Sequence, residues 1–131
     1  MTFTFDIGKE GLGKVLRDYE EEALRYVWGL EGQGAGSREV WEHVNGALKG
    51  VRTISRASII SFLNDMTRQG VLEYEEVTGK GGRRRIYRAR LDERGFRKAI
   101  ARAVMDSLLK DFLEETMETI LETWARERRG D

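Results

Sequence analysis

The chain lacks cysteine and proline, and His43 is its one histidine. Without cysteine it can form no disulfide, thiolate nucleophile or Cys/His zinc cluster. No apolar run approaches the ~18 residues of a membrane span, and the first residues lack the apolar core of a signal peptide. No proline, repeat or low-complexity linker marks a boundary. We therefore expect a cytoplasmic protein that folds as one continuous unit without cross-links.

Charge is balanced overall but unevenly distributed. The 131 residues carry 23 Lys and Arg against 23 Asp and Glu. Residues 1–36 have 4 basic and 7 acidic side chains, residues 37–91 have 11 and 6, and residues 92–131 have 8 and 10. A central basic block of this kind indicates a polyanionic partner, although the net charge is zero.

Three helices are predicted in the first half of the chain. Apolar residues recur at spacings of three and four across 16–30, which is typical of an amphipathic helix. Ser37 is predicted to cap a second helix that stops near Gly50. Ser55 is predicted to cap a third helix that ends at Gly70.

A hairpin and a long helical region are predicted to follow. Residues 71–77 and 85–91 have the pattern of two strands, and the glycine-rich residues 78–82 are predicted to form a flexible basic turn between them. Asp92 is predicted to cap a helical region that continues nearly to the end of the chain. A break in it is expected within 113–116.

This order of elements predicts a mainly α fold with a small β-hairpin, namely a winged helix-turn-helix followed by C-terminal dimerisation helices. Residues 1–91 would form the DNA-binding domain and residues 92–131 the dimerisation region. In such a module the third helix presents its outer face to the major groove of DNA. We therefore predict a sequence-specific regulator of transcription that binds double-stranded DNA and is not an enzyme.

The predicted DNA contacts lie on the third helix and at the tip of the hairpin. The outward arc of the helix is small and polar, and its N-terminus favours phosphate. Glycines at the hairpin tip allow close approach to DNA, and the arginines supply countercharge. The predicted contact residues are Ser55, Arg56, Ala57, Ser58, Ser61, Asn64, Lys80, Arg83, Arg84 and Arg85.

The C-terminal region has a longer apolar stripe than a small domain can cover, which indicates a protein interface. A homodimer would place two recognition helices about 34 Å apart and would read a pseudo-palindromic operator. The alternative is that these helices fold back onto their own domain. The predicted interface residues are Phe96, Ile100, Val104, Leu108, Phe112, Met117, Ile120 and Trp124.

Several segments resemble the penicillinase-repressor family of the BlaI and MecI type: Ser37–Val40, Ile54–Met66, Gln69–Leu72 and Arg85–Arg88. The similarity extends over about residues 16–121. It implies a homodimeric winged-helix repressor that dimerises through C-terminal helices. It also implies that Ser55, Arg56, Ser58 and Ser61 of the third helix, with Arg83 and Arg84 of the wing, contact DNA.

Two features depart from that family's pattern. Members that answer to a β-lactam sensor are cleaved at an Asn-Phe bond, whereas Asp111 precedes Phe112 here. Copper-responsive relatives use cysteine pairs, which this chain lacks. The segment Gly82–Tyr87 also resembles the wing of PadR-type regulators, whose C-terminal helices likewise dimerise.

Other functions find weaker support. Gly8–Lys14 matches the G-x-x-x-x-G-K part of a phosphate-binding loop after the strand-like residues 3–7, but Val15 replaces the Ser or Thr that holds magnesium. His43 has no identifiable catalytic partner. The carboxylates Glu114, Glu115, Glu118 and Glu122 are read as a solvated helix face rather than a metal site. No cofactor is predicted. The competing class is a winged-helix adaptor that binds protein instead of DNA.

Overall fold

The computed structural model describes residues 2–130 and contains, within them, five α-helices, a short 3-10 helix and one two-stranded antiparallel hairpin. The mainly α fold with a small hairpin is confirmed. In chain order the elements are the 3-10 helix Gly11–Lys14, α1 (Asp18–Gly29), α2 (Ser37–Ala47), α3 (Arg56–Arg68), β1 (Leu72–Gly79), β2 (Gly82–Ala89), α4 (Glu93–Asp111) and α5 (Leu113–Arg129).

The chain divides into two compact units, the first ending at Arg97 and the second beginning at Lys98. The first turn of α4 thus belongs to the first unit, because it packs there. Glu93 pairs with Arg25 of α1 at 2.7 Å, and the Phe96 ring lies 5.8 Å from that of Trp28. The assignment of residues 1–91 to DNA binding and 92–131 to dimerisation stays a prediction.

The first unit has the winged helix-turn-helix order of three helices followed by a hairpin. Its core forms where the apolar stripes of α1, α2 and α3 meet the base of the hairpin. Burying each large aliphatic side chain contributes about 1.5–3 kcal/mol. The buried residues include Ala23, Leu24, Val27, Val40, Val44, Ile59, Phe62, Leu63, Met66, Val71, Leu72, Tyr87 and Phe96.

Two of the predicted helix caps are confirmed and one is wrong. The Ser55 hydroxyl accepts the Ser58 N–H at 3.1 Å, and the Asp92 carboxylate accepts the Gly95 N–H at 2.7 Å. Ser37 is instead the first residue of α2. Gly36 occupies the cap position with an extended backbone, and it has no side chain that could accept a hydrogen bond from the helix N-terminus. The N-terminus of α2 therefore keeps its N–H groups uncapped by a side chain.

The turn between α2 and α3 is held by two side chains of α2. Asn45 both donates to the Ile54 carbonyl at 3.1 Å and accepts from the Ile54 N–H at 2.8 Å. The Trp41 indole donates to the same carbonyl at 2.9 Å. These bonds satisfy the backbone just before Ser55, so they determine where α3 begins.

The hairpin is longer and its turn tighter than the sequence suggested. Gly79 pairs with Gly82, so only Lys80 and Gly81 lie in the turn, and Arg83, Arg84 and Arg85 belong to β2. The prediction of a flexible turn across 78–82 is therefore wrong. The glycine content of residues 78–82 suggested a loop, but cross-strand pairing includes Thr78, Gly79 and Gly82.

The loop before α2 pairs with the hairpin through a single bridge between Ala35 and Tyr87. Ala35 and Tyr87 exchange two backbone hydrogen bonds of 2.8 Å. Gly34 precedes this bridge with φ +80°, and a Cβ there would lie 2.8 Å from the Tyr87 carbonyl oxygen. Only glycine allows so close an approach, so Gly34 fastens the wing to the start of α2.

The first residues of the chain do not form the expected strand. Residues 3–7 have irregular backbone, and the 3-10 helix follows at Gly11–Lys14. The Asp6 N–H donates to the Lys14 carbonyl at 2.8 Å, which closes this segment on itself. Without a preceding strand, Gly8–Lys14 lacks the geometry of a phosphate-binding loop.

The second unit consists of the rest of α4 and of α5, joined at Phe112. The backbone leaves the helical region there (φ −134°, ψ 57°), so the break lies one residue before the predicted 113–116. The Thr116 hydroxyl reaches back to the Leu108 carbonyl at 3.4 Å, across the break. Within residues 2–130 no helix is long and apolar enough to cross a membrane.

Candidate nucleic-acid interface

A cleft of about 440 Å³ lies between the N-terminus of α2, one side of α3 and the strand β2. We call it the arginine cleft, because five of its lining residues are arginines. One carboxylate also faces it. The lining residues are Gly36, Ser37, Arg38, Glu39, Arg56, Ile60, Asn64, Arg83, Arg84, Arg85 and Tyr87.

Helix N-termini add to the positive potential of the arginine cleft. The N–H groups of Ser37, Arg38 and Glu39 have no hydrogen-bond partner among residues 2–130, and they open α2 beside the cleft. At α3 the N–H groups of Arg56 and Ala57 are likewise without partners in that range. Such N–H groups and the helix dipole together favour a phosphate oxygen.

The structure places the predicted residues of α3 on two sides of the helix. Arg56 and Asn64 line the arginine cleft. Ala57, Ser58 and Ser61 border a second depression on the side of α3 that faces α1. Because both sides adjoin the exposed outer edge of the helix, a DNA groove entered by α3 would meet both.

The surroundings of Asn64 differ most from those expected of a DNA contact, because its side chain is bonded within the protein. Its side-chain oxygen accepts the Tyr87 hydroxyl at 2.5 Å and Arg85 Nη1 at 3.0 Å. Arginine has no acceptor, so the oxygen rather than the NH2 group must face it. The acceptor expected for base recognition is therefore already occupied by the wing.

The three arginines of the wing have different surroundings. Arg83 lies 3.6 Å from Glu76 across the hairpin, and Arg84 lies 3.2 Å from Glu39 of α2. Arg85 stacks over the Tyr74 ring, with its guanidinium carbon 4.1 Å from the centroid. Lys80 is exposed in the turn, away from the cleft.

Sequence reasoning missed Arg38 and Glu39, which begin α2 and enter the cleft. Arg38 pairs with Glu42 at 3.1 Å and is largely exposed. Glu39 Oε2 is buried without a hydrogen-bond partner in the described chain. A signal for both existed in the sequence, since the residues that open a helix after a glycine loop present their N–H groups to anions.

Residues considered for other chemistry have ordinary structural surroundings. His43 stacks on Tyr26 with 4.5 Å between ring centroids, and its Nε2 lies 3.7 Å from Glu22. Glu114, Glu115, Glu118 and Glu122 are exposed on α5. Among residues 2–130, no group of three or more His, Cys, Asp or Glu residues is placed to hold a metal ion.

One predicted interface residue is wrong. Phe96 is only 2% exposed and belongs to the core of the first unit, where it packs on Trp28. The periodic stripe of α4 continues through Phe96, but the helix changes its surroundings after Arg97. The other predicted residues divide into partly exposed Ile100, Val104 and Ile120, and exposed Leu108, Phe112, Met117 and Trp124.

Comparison with known proteins agrees with the resemblance noted in the sequence. Residues 16–128 match the family model described as penicillinase repressor. No curated protein matches the chain. A solved structure that it resembles is a PadR family transcriptional regulator from Eggerthella lenta DSM 2243, with 17% identity, 77% of this chain and 86% of that chain covered, and a TM-score of 0.43. Because the family model spans most of the sequence, the chain belongs to the penicillinase repressor family, whose members are DNA-binding transcriptional regulators.

Proposed function

We propose that this regulator is a dimeric repressor that binds a pseudo-palindromic operator with α3 and the wing. The observation that carries the proposal is the arginine cleft, which brings five arginines and the uncapped N-terminus of α2 to one side of α3. The predicted DNA contacts of α3 and the hairpin remain part of the proposal, except Asn64 and Arg85, which bind each other. Its place of action would be the cytoplasm.

The chemistry of the cleft suits a phosphate backbone that follows the edge of α3. Arginine donates two parallel hydrogen bonds to phosphate oxygens, and the N–H groups at the start of α2 can donate to a further oxygen. Ser61 is exposed beside Ala57 and could reach a base edge while the phosphates are held. The arrangement thus separates residues that position DNA from residues that read it.

The first test measures salt dependence with purified protein and a selected duplex. Arg56→Ala and Arg83→Ala should each weaken binding and reduce the slope of log K against log salt by about 1, because each removes one phosphate contact. Arg94→Ala is the matched control, since Arg94 is exposed in the first unit outside the cleft. An unchanged slope in both cleft variants would contradict the assignment and favour the adaptor.

The proposed dimer interface lies on the second unit. Leu108 is 40% exposed, and Phe112, Met117 and Trp124 are 58%, 43% and 61% exposed. Apolar side chains concentrated in this way on one unit indicate a surface that another chain covers. A closed two-fold dimer would cover the same surface on both partners and leave no open end.

The operator can be identified by selection from random duplexes with the full chain. A dimer with one α3 in each half-site should select an inverted repeat whose half-sites are about one helical turn apart, 10–10.5 base pairs. Selection of a single unrepeated half-site would argue for a monomeric reader. Failure to enrich any sequence would remove the proposal of sequence-specific binding.

A further inference from the structure

Asn64 connects the helix proposed to enter the groove with the strand that carries the wing. It lies in α3, one turn before the C-terminal residue Arg68, and is half-buried. Its oxygen accepts from Tyr87 and from Arg85, residues 23 and 21 positions further along the chain. An amide oxygen has two lone pairs, so these two donors satisfy it.

Both donors are themselves held in place. Tyr87 is 3% exposed, and its backbone forms the bridge with Ala35. Its hydroxyl would be left without an acceptor if Asn64 were apolar, which is costly for a buried donor. Arg85 is fixed from the other side by the face of Tyr74. The three side chains and Asn64 form one connected group, which we call the wing clamp.

The wing clamp lies where the hairpin passes from buried to exposed. Leu72 and Tyr87 are buried, whereas Glu75, Glu76 and Arg83 are exposed. The outer part of the hairpin therefore gains its direction from the last residues that contact the body of the unit. A two-stranded hairpin is only marginally stable in water without such packing.

We propose that Asn64 is a positioning residue that determines the angle between α3 and the wing, and with it the spacing at which the two meet DNA. This inference rests on the proposed DNA-binding function, because the spacing matters only if both elements contact one duplex. It also gives Arg85 a different task from Arg83 and Arg84. Arg85 holds the wing on α3, whereas Arg83 and Arg84 pair with exposed carboxylates, with which a phosphate can compete.

A distance measurement between spin labels tests the clamp without DNA. The chain lacks cysteine, so labels can be placed at Arg68→Cys on α3 and Lys80→Cys in the hairpin turn, both exposed. Asn64→Leu keeps the size but removes the acceptor and should broaden or shift the distance distribution. Asn64→Asp keeps two acceptor lone pairs for these donors and should retain the narrow one.

Two further variants guard against a general loss of fold. Tyr87→Phe removes one donor but keeps the buried ring, and should broaden the distribution less than Asn64→Leu. Arg83→Ala is the matched control, because Arg83 is an arginine of the same strand that pairs within the hairpin with Glu76. An Asn64→Leu distribution equal to that of the labelled parent would overturn the proposal.

DNA binding supplies the second readout. Asn64→Leu should lower affinity for the selected operator about tenfold, the equivalent of one to two hydrogen bonds, without changing the preferred base at any single position. A changed preference at one base pair, with unchanged label distances, would make Asn64 a base reader instead. If the parent protein fails to bind duplex DNA, the proposed function fails while the label distances still decide the clamp.

Discussion

Individual charges in the arginine cleft are partly neutralised by the protein's own carboxylates. Arg84 pairs with Glu39 and Arg83 with Glu76, so a phosphate must compete with a side chain that is already there. Exposed pairs of this kind contribute little to stability, typically about 0–1 kcal/mol. Their larger effect is on the affinity for an anion, because each pair removes part of the charge available to it.

Glu39→Gln should strengthen DNA binding. The substitution removes the one carboxylate that lines the cleft and releases Arg84 for phosphate, so the salt slope should steepen by about 1. Competition experiments with labelled duplex at several salt concentrations measure both quantities. Glu73→Gln is the control, because Glu73 is an exposed glutamate of β1 that does not line the cleft. Weaker binding by Glu39→Gln would mean that Glu39 organises the cleft.

At the scale of elements, the wing and α4 are each fastened to the body of the first unit by few residues. The wing is held by the Ala35–Tyr87 bridge and by Asn64. The start of α4 is held by Phe96 on Trp28 and by the Trp28 indole, which donates to the Leu91 carbonyl at 2.9 Å. Single substitutions at these contacts should therefore lower the stability of the whole attached element, even where few atoms are changed.

Gly34→Ala should destabilise the protein by about 2 kcal/mol or more. The residue would be strained at φ +80°, and its Cβ would meet backbone that cannot yield without breaking the Ala35–Tyr87 bridge. Gly46→Ala is the comparison, because its Cβ would meet no atom of residues 2–130 within 4 Å. Alanine in that helix should stabilise by up to about 1 kcal/mol. Urea unfolding of both variants measures the difference, and equal midpoints would contradict it.

The pH dependence of stability should report on the start of α4. Hydrogen bonds from Arg97 and then from Arg25, opposed by partial burial, lower the pKa of Glu93 below its ordinary value. The contribution is complete above the ordinary glutamate pKa of about 4.3 and is lost as the pH falls through the lower folded-state pKa. Glu93→Gln should therefore cost stability at pH 7, by less than about 1 kcal/mol because the pair is partly exposed.

Thermal unfolding of Glu93→Gln and the parent at pH 7 and at pH 3 checks this sign. The difference in Tm between the two proteins should be smaller at pH 3 than at pH 7. Glu73→Gln serves as the control, since Glu73 is an exposed glutamate that belongs to β1 rather than to α4. A gap that widens in acid would show that Glu93 is protonated more readily in the folded chain.

For the whole molecule, the neutral net charge is the sum of a basic central block, residues 37–91, and acidic flanks on both sides, of which residues 1–36 carry 4 basic and 7 acidic side chains. The 11 basic and 6 acidic residues of 37–91 include every arginine of the cleft, whereas residues 92–131 carry 8 and 10. A dimer joined through α4 and α5 would carry two such clefts. The acidic surplus would limit nonspecific attachment to DNA.

Substituting the exposed apolar surface of α5 should separate the proposed dimer. In light scattering, Met117→Glu together with Trp124→Glu should give a folded monomer of 15.1 kDa, whereas we expect twice that mass for the parent. Operator affinity should fall because two half-sites are no longer bound together. Glu118→Gln with Arg126→Gln alters exposed polar positions of the same helix and should leave the dimer intact. A parent that is itself monomeric would refute the interface.

Much of the secondary structure was readable from the sequence because its causes are local. Spacings of three and four predicted α1, α2 and α3, Ser55 and Asp92 marked two helix starts, and alternation predicted the hairpin. The exposed arc of α3 also followed from its period, since Ala57, Ser61 and Arg68 are exposed. These properties depend on residues within a few positions of one another.

The tertiary structure alone decided which side chains meet. Asn64 occupies the position on α3 that the sequence predicts, but only the packing of the hairpin brings Arg85 and Tyr87 to its side-chain oxygen. Phe96 continues the stripe of α4, yet contact with Trp28 assigns it to the core. Glu39 and Arg84 are 45 residues apart and meet in the cleft. Periodicity states which face of an element is apolar, whereas the partner across that face depends on how elements pack.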